Sequence, residues 1–316
     1  MNLIDNVKSE ELQNIRFVLT DMDETLTYKG RLQARTYQSL EMLQHAGIKV
    51  IPVTAASAGW ADQMARMWPV DGVIAENGGL FLTRNNIEHG INRYFWHEDK
   101  YLLNREKISH ILLKIRQKYP WVEVSDDQDF RLTSIAFKLP KNHEQTRQLI
   151  DELAENKCCY TINNLWVLGW LGGYDKLVMS RKVLKHFYAL EESDEQASVF
   201  YSGDSLNDAP MFSYYSKTLG MNTINDIAQV IPSLPRWISQ FPGGEGFVDG
   251  ANRILNAKRK ASVKLPSPLW QMATGSIGSN RSGCCMRWIE SLIGDLPLSR
   301  RNAIHVEWLI ILVAKM

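Results

Sequence analysis

The stretch "DMDETLT", residues 21–27, decides how this chain is read. Asp21 and Asp23 stand two apart, with Thr25 two further on. They follow the mostly apolar run "IRFVL", residues 15–19, after the single residue Thr20. Carboxylates this close repel one another unless a cation or a proton relieves them. Taken alone, the pair is equally a solvated turn behind a strand. At the mouth of a buried strand it is a candidate metal and acid/base site.

Working outward, short β-rich runs alternate with helical patterns. "IRFVLTD" reads as a strand and residues 34–46 as a helix closed by Gly47. "IKVIPVTA" is a second strand, residues 58–68 a helix ended by Pro69, and "GVIAEN" a third strand. This rhythm predicts an α/β fold with a doubly wound parallel sheet.

From about residue 83 the order changes. Ile108, Ile111, Leu112, Ile115 and Tyr119 mark a long helix, and "RLTSIAFKL" alternates as a half-exposed strand would. Leu149, Ile150 and Leu153 mark another helix. "CCYTI" and "LWVLGW" flank Asn163–Asn164, a candidate hairpin turn. The α/β rhythm returns with a helix over "DKLVMSRKVLKHFYAL", strands "ASVFYSGD" and "KTLGMN", and "GGEGFVDGANRIL", read as a loop and a last helix. The expected organisation is a core in two segments, 1–82 and 173–257, around an inserted α+β cap, 83–172. Residues 258–316 form an extension whose first half has the composition of a poorly ordered segment.

Composition narrows the function. The chain has 316 residues, 45% hydrophobic and 22% charged, and a net charge of +1, which gives no footprint for bulk nucleic-acid binding. The N-terminus "MNLIDNVKSEEL" lacks the basic and apolar regions of a secretory signal. No apolar run reaches the ~18 residues of a membrane span. The four cysteines form adjacent pairs, Cys158–Cys159 and Cys284–Cys285, without zinc-site spacing. The expectation is a cytoplasmic protein with idle thiols. Trp96, Trp121, Trp166 and Trp170 read as core residues before they read as a sugar platform.

Three polar clusters close the expected core strands: Asp21 with Asp23, Thr54, and Asp204 with Asn207 and Asp208. Lys176 opens the helix before the last of them. In open α/β sheets the carboxyl ends of the strands form the ligand crevice, so these residues should converge. A carboxylate attacking a phosphate dianion must have its charge offset by a cation and by lysine and hydroxyl donors; the set therefore points to phosphoryl transfer. Hard oxygen ligands without a histidine cluster point to Mg²⁺.

"DMDET", "VTAAS", "DKL" and "GDSLND" resemble, in order, the four motifs of the haloacid dehalogenase superfamily of phosphatases. The insert between the second and third motifs, and "ENGG" at 76–79, resemble the type IIB branch with its C2-type cap. "GDSLNDAPMF" and "GGEGFVDGANRIL" are similar to mannosyl-3-phosphoglycerate and sucrose-phosphate phosphatases. The likeness spans roughly residues 14–256. It implies that Asp21 is the nucleophile and Asp23 the general acid and base. It implies Mg²⁺ held by Asp21, the Asp23 backbone and Asp204, with Asp208 in support. Thr54, Lys176 and Asn207 would bind phosphate. The implied activity is Mg²⁺-dependent hydrolysis of a small phosphomonoester, a sugar phosphate or a sugar-phosphoglycerate. A phosphomutase, or a non-catalytic regulatory relative, stands as the alternative. Two departures are notable. Glu24 stands where many relatives have glycine, and Leu177 follows Lys176 where glycine is frequent.

Overall fold

The computed structural model describes residues 1–264 except 86, 88 and 164. The chain begins with β1 (Asn2–Leu3), α1 (Ser9–Leu12) and β2 (Phe17–Thr20). A small hairpin, β3 (Thr27–Tyr28) and β4 (Arg31–Leu32), precedes α2 (Ala34–His45), β5 (Lys49–Pro52) and α3 (Ala58–Met67). Then come β6 (Val73–Ala75), β7 (Leu80–Asn85), β8 (Gly90–Phe95), α4 (Tyr101–Lys118), β9 (Ser134–Lys138) and α5 (His143–Glu155). The hairpin β10 (Cys159–Ile162) and β11 (Trp166–Trp170) leads to α6 (Lys176–Tyr188) and α7 (Glu192–Ser198). The chain closes with β12 (Val199–Gly203), α8 (Ala209–Tyr214), β13 (Thr218–Gly220), β14 (Trp237–Ile238) and α9 (Gly243–Lys264).

The main sheet runs β1-β14-β13-β12-β2-β5, every pair parallel. β2 lies inside it, between β12 and β5, because all four residues, Phe17–Thr20, are apolar or small and bury on both faces. Phe17 and Leu19 pack with Val199, Tyr201 and the α6 residues Met179, Val183 and Leu184. Val18 points the other way, onto Leu40 and Leu43 of α2 and Phe247 and Ile254 of α9. This is the expected α/β core with helices on both faces. The chain leaves β2, β5 and β12 at the same edge, where Asp21, Thr54 and Asp204 stand.

Several elements differ from expectation for physical reasons. "GVIAEN" supplies β6, which touches the main sheet through one parallel bridge, Val53↔Ile74, and pairs antiparallel with β7. β7 and β8 form a long hairpin, so β7 passes through position 82/83 without a break. The strand at 134–138 is buried on both faces: Ile135 and Phe137 pack in the cap core, while Ser134 on the other face donates to buried Glu76. The glycines of "GGEG" lie inside α9. A Cβ on Gly244 would stand 2.2 Å from Thr36 Oγ1, so glycine serves close packing there, not a loop. α9 continues to Lys264, past the expected change at 258. The rest of that extension, with Cys284 and Cys285, lies outside the described residues, as does Asn164.

The second sheet, β10-β11-β9, is antiparallel and packs on α4 and α5 through Ile108, Ile115, Leu149, Leu153 and Val167. The turn between β10 and β11 is held by Asn163, whose Oδ1 accepts from Leu165 N and Trp166 N. Trp96, Trp121, Trp166 and Trp170 all belong to apolar clusters. Cys158 is buried and Cys159 exposed, both free.

Between α4 and α5, Glu152 is buried and takes an ion pair from Lys114 at 3.0 Å and another from Lys118, plus Asn156 Nδ2 at 3.0 Å. Burial alone would raise its pKa; the hydrogen bonds from Lys118, Lys114 and Asn156 win and hold it at about 2. A carboxyl depressed in the folded state stabilises fully above its ordinary value of 4.5 and loses that contribution as pH falls toward about 2. Urea midpoints of the native protein should therefore drop across that window. Glu152→Gln should lack this part of the slope and be ~1–2 kcal/mol less stable at neutral pH, the lysines being half exposed. Identical pH profiles for the two proteins would contradict this assignment.

Candidate active site

The loop after β2 carries Asp21 and Asp23 into the crevice. Its entry angle is set by Asp21 N, which donates to Ser202 O at 2.8 Å, continuing the β2–β12 ladder. Lys176, the first residue of α6, is completely buried. Its helix starts where it does because the Asp175 side chain caps Val178 N at 2.8 Å. Lys176 Nζ donates to Asp21 Oδ1 at 2.7 Å and to Asp208 Oδ1 at 2.6 Å.

Asp208 is fully engaged. Its Oδ1 also accepts from Tyr201 Oη at 2.5 Å, and its Oδ2 accepts from the backbone N–H groups of Asp204 at 2.9 Å and Ser205 at 3.0 Å. This approach needs Gly203: a Cβ there would meet Asp208 Oδ2 at 2.5 Å. Asp208 thus ties the "GDSLND" turn to Lys176, combining a capping role with support of the acidic cluster. Asp204 Oδ1 accepts from Thr25 Oγ1 at 2.9 Å. Asp21 Oδ2 and Asp204 Oδ2 have no hydrogen-bond partner among the described residues.

Charge is crowded here. Burial raises the Asp21 pKa, Lys176 opposes it, and Asp208 and Asp23 add to the rise, to about 7. Burial, with Glu24 and Asp127 beside it and Lys176 and Arg131 opposing, raises Asp23 to about 6. Burial and the neighbouring Asp21 and Asp208 push Asp204 well above the usual carboxylate range. Burial pulls Lys176 down, but Asp208 and Asp21 more than reverse it and leave it raised. One oxygen each of Asp21, Asp204 and Asp208 lie within 4.8 Å of one another. A hard divalent cation fits this donor set, since it would relieve repulsion that one lysine only partly offsets.

The remaining expected residues divide. Asn207 lines the site, its Oδ1 accepting from Ser205 Oγ at 2.6 Å, which leaves its amide N–H groups to face a ligand. Thr54 is buried at the end of its strand segment. Its Oγ1 accepts from Ala56 N at 3.0 Å, so it caps its own turn and keeps its O–H to donate. A cavity of about 20 Å³ lies over Asp21, Asp23, Asp204 and Asn207. Glu24, Ala55 and Ser205 complete its core side, and Asn163 and Leu165, from the β10–β11 turn, close it from above.

The profile of the haloacid dehalogenase-like hydrolases matches residues 18–231, which contain every site residue named so far. The chain belongs to the haloacid dehalogenase-like hydrolases. Its fold is that of the type IIB branch. It is similar to a Thermoplasma acidophilum protein, 0175, at 19% identity, covering 77% of this chain and 99% of that one with a TM-score of 0.62. The C-terminal domain of C. albicans trehalose-6-phosphate phosphatase matches at 10% identity, 78% and 94% coverage and TM-score 0.57. The sucrose-phosphatase of Synechocystis sp. PCC6803, solved with sucrose and phosphate, matches at 15% identity, 77% and 98% coverage and TM-score 0.55. No curated protein matches the sequence.

This hydrolase also uses residues its sequence did not reveal as functional. Glu76, in "ENGG", is fully buried with φ 50°. Its carboxylate accepts from Ala58 N at the start of α3, Leu132 N, Thr133 N, Thr133 Oγ1 and Ser134 Oγ, all between 2.7 and 3.0 Å. It fastens the 132–134 segment to the helix that follows Thr54. Beside it, Arg131 donates to Asp127 through Nε and Nη2 and to Ala55 O and Ser134 Oγ through Nη1. Thr25 stands out in the sequence by its spacing from Asp21 and Asp23 but without a role, and Tyr201 only as a residue type that needs a partner when buried. Glu76 had a weaker signal: an acid next to glycines that no motif role explains.

Replacing Lys176 by methionine leaves Asp21 and Asp208 buried without their counter-charge. Removing one partner of a buried ion pair costs about 3–5 kcal/mol, and a loss of that size should appear in urea unfolding of Lys176→Met. A loss below about 1 kcal/mol would mean the lysine does not hold the cluster together.

Proposed function

We propose that this hydrolase is a Mg²⁺-dependent phosphatase that cleaves a small phosphomonoester, a sugar phosphate, through an aspartyl-phosphate on Asp21. The observation that carries the reading is the disposition of Asp21. Lys176 holds one of its oxygens, and the other is left free at the cavity that Asp23 also lines. That is the arrangement of an oriented nucleophile beside an acid. Two chains of the same fold are named for activity on sugar phosphates, which agrees with the substrate class.

In this reading Asp21 Oδ2 attacks phosphorus, the ester P–O bond breaks, and Asp23 gives its proton to the departing alkoxide. Water then attacks the same phosphorus, Asp23 takes the proton, and the Asp21–phosphorus bond breaks to release phosphate. Lys176, Asn207 and the Thr54 hydroxyl donate to the phosphoryl oxygens. Asp21, Asp204 and the Asp23 carbonyl, supported by Asp208, would hold Mg²⁺; when bound, it supplies positive charge that offsets the phosphoryl group. Residues 83–172 act as the cap between the two core segments. The cavity has room for about one water, so a sugar phosphate requires the β10–β11 turn to lift before it closes again.

Asp21→Asn should abolish phosphate release while leaving the fold intact, because an amide is not a competent nucleophile. Activity near that of the unmodified enzyme would remove Asp21 from this role. Chelation should silence turnover and Mg²⁺ restore it, and Asp204→Ala should demand far more metal. Metal dependence unchanged in Asp204→Ala would count against the site.

A further inference from the structure

Resting on the phosphatase reading, one question about the substrate can be taken further: the charge of the alcohol half. Besides the aspartates and Asn207, the cavity is lined by Glu24, Ala55, Ser205, Asn163 and Leu165. None of these is cationic, and neither is any other residue lining the cavity. Among the described residues, the two cations set against the acidic cluster, Lys176 and Arg131, are committed elsewhere. Lys176 is buried between Asp21 and Asp208. The Arg131 side chain is 1% exposed, paired with Asp127 and bonded to Ala55 O.

Glu24 is itself neither nucleophile, acid nor metal ligand in this reading, yet its presence has a cost. It adopts φ 56°, the left-handed region that favours glycine. Its Oε1 accepts from Lys29 N at 2.7 Å, which closes the turn and fixes the carboxylate at the rim. A glutamine would make the same hydrogen bond, so the turn alone does not require the charge. A leaving group with its own carboxylate or second phosphate would meet Glu24 and find no basic residue among those that line the cavity.

We propose that the substrate is an ester of an uncharged alcohol, and that Glu24 is the specificity-determining residue that rejects esters whose leaving group is anionic. The asparagine amide and the leucine side chain facing it suit a neutral, hydroxyl-bearing group with an apolar face, as a sugar has. A sugar-phosphoglycerate, whose leaving group retains an acid, is disfavoured by the same geometry.

The test compares kcat/KM for phenyl phosphate and 4-carboxyphenyl phosphate, which differ by one carboxylate, with Mg²⁺ at low ionic strength. The neutral ester should be preferred by about tenfold or more, the effect of one like charge a few ångströms away at partial exposure, and added salt should shrink the preference. Glu24→Gln should reduce the ratio about tenfold. Glu24→Gly, which also relieves the positive φ, should do the same. A ratio near one in the unmodified enzyme overturns the proposal, and a high ratio that survives both substitutions overturns the part assigned to Glu24. Release of phosphate from neither ester would instead defeat the phosphatase reading itself.

Discussion

A single ammonium group holds the acidic centre of this protein together. Lys176 Nζ lies between Asp21 and Asp208, with no exposure to water. The lysine stays charged because two carboxylates surround it, and those carboxylates are tolerable in a buried site because the lysine is there. The elements that supply the three groups are the loop after β2, the start of α6 and the turn after β12. Parallel pairing of β2 with β12 brings the first and last side by side, and α6 packs on the sheet face that carries Leu19 and Tyr201. The fold can therefore be seen as a scaffold that brings two strand ends and one helix start to the same point.

The lysine neutralises only part of the charge. Asp21, Asp23 and Asp204 are all pushed above their ordinary range, and burial is the largest cause in each case. Unpaired buried charge is expensive, so the arrangement reads as a site built to be completed by a cation and then by an anionic substrate. Asp208 shows the division of labour within one motif. Its oxygens are taken by Lys176, Tyr201 and two backbone N–H groups, so it shapes the site, while Asp204 and Asp21 keep oxygens turned toward the cavity.

Four strands of the main sheet, β2, β5, β12 and β13, and the acidic cluster were legible in the sequence because both rest on local signals; the two-residue β1 and β14 were not. Apolar runs such as Phe17–Thr20 end in polar residues, and those ends are where a parallel sheet collects its ligands. What escaped depends on contacts between distant segments. Glu76 stands in "ENGG", which the resemblance marks without giving the acid a role; the role appears only when Leu132, Thr133 and Ser134 fold against it. Thr25 was noticed for its spacing, but its partner is Asp204, which lies on a different strand end. "RLTSIAFKL" alternated as a half-exposed strand; the core loops that cover its second face are far away in sequence. The glycines of "GGEG" looked like a loop, since sequence does not reveal that Thr36 and Leu26 press against the backbone there.

The central claim is that Asp21, oriented by Lys176, becomes covalently phosphorylated. Its most direct test is to mix enzyme, Mg²⁺ and a phosphorylated substrate, quench in acid within one turnover, and map the adduct by peptide mass spectrometry. The account predicts a phosphoryl group on the peptide containing Asp21, localised to that residue and lost on treatment with hydroxylamine. Full turnover with no phosphorylated peptide at any quench time, or an adduct confined to another residue, would contradict it.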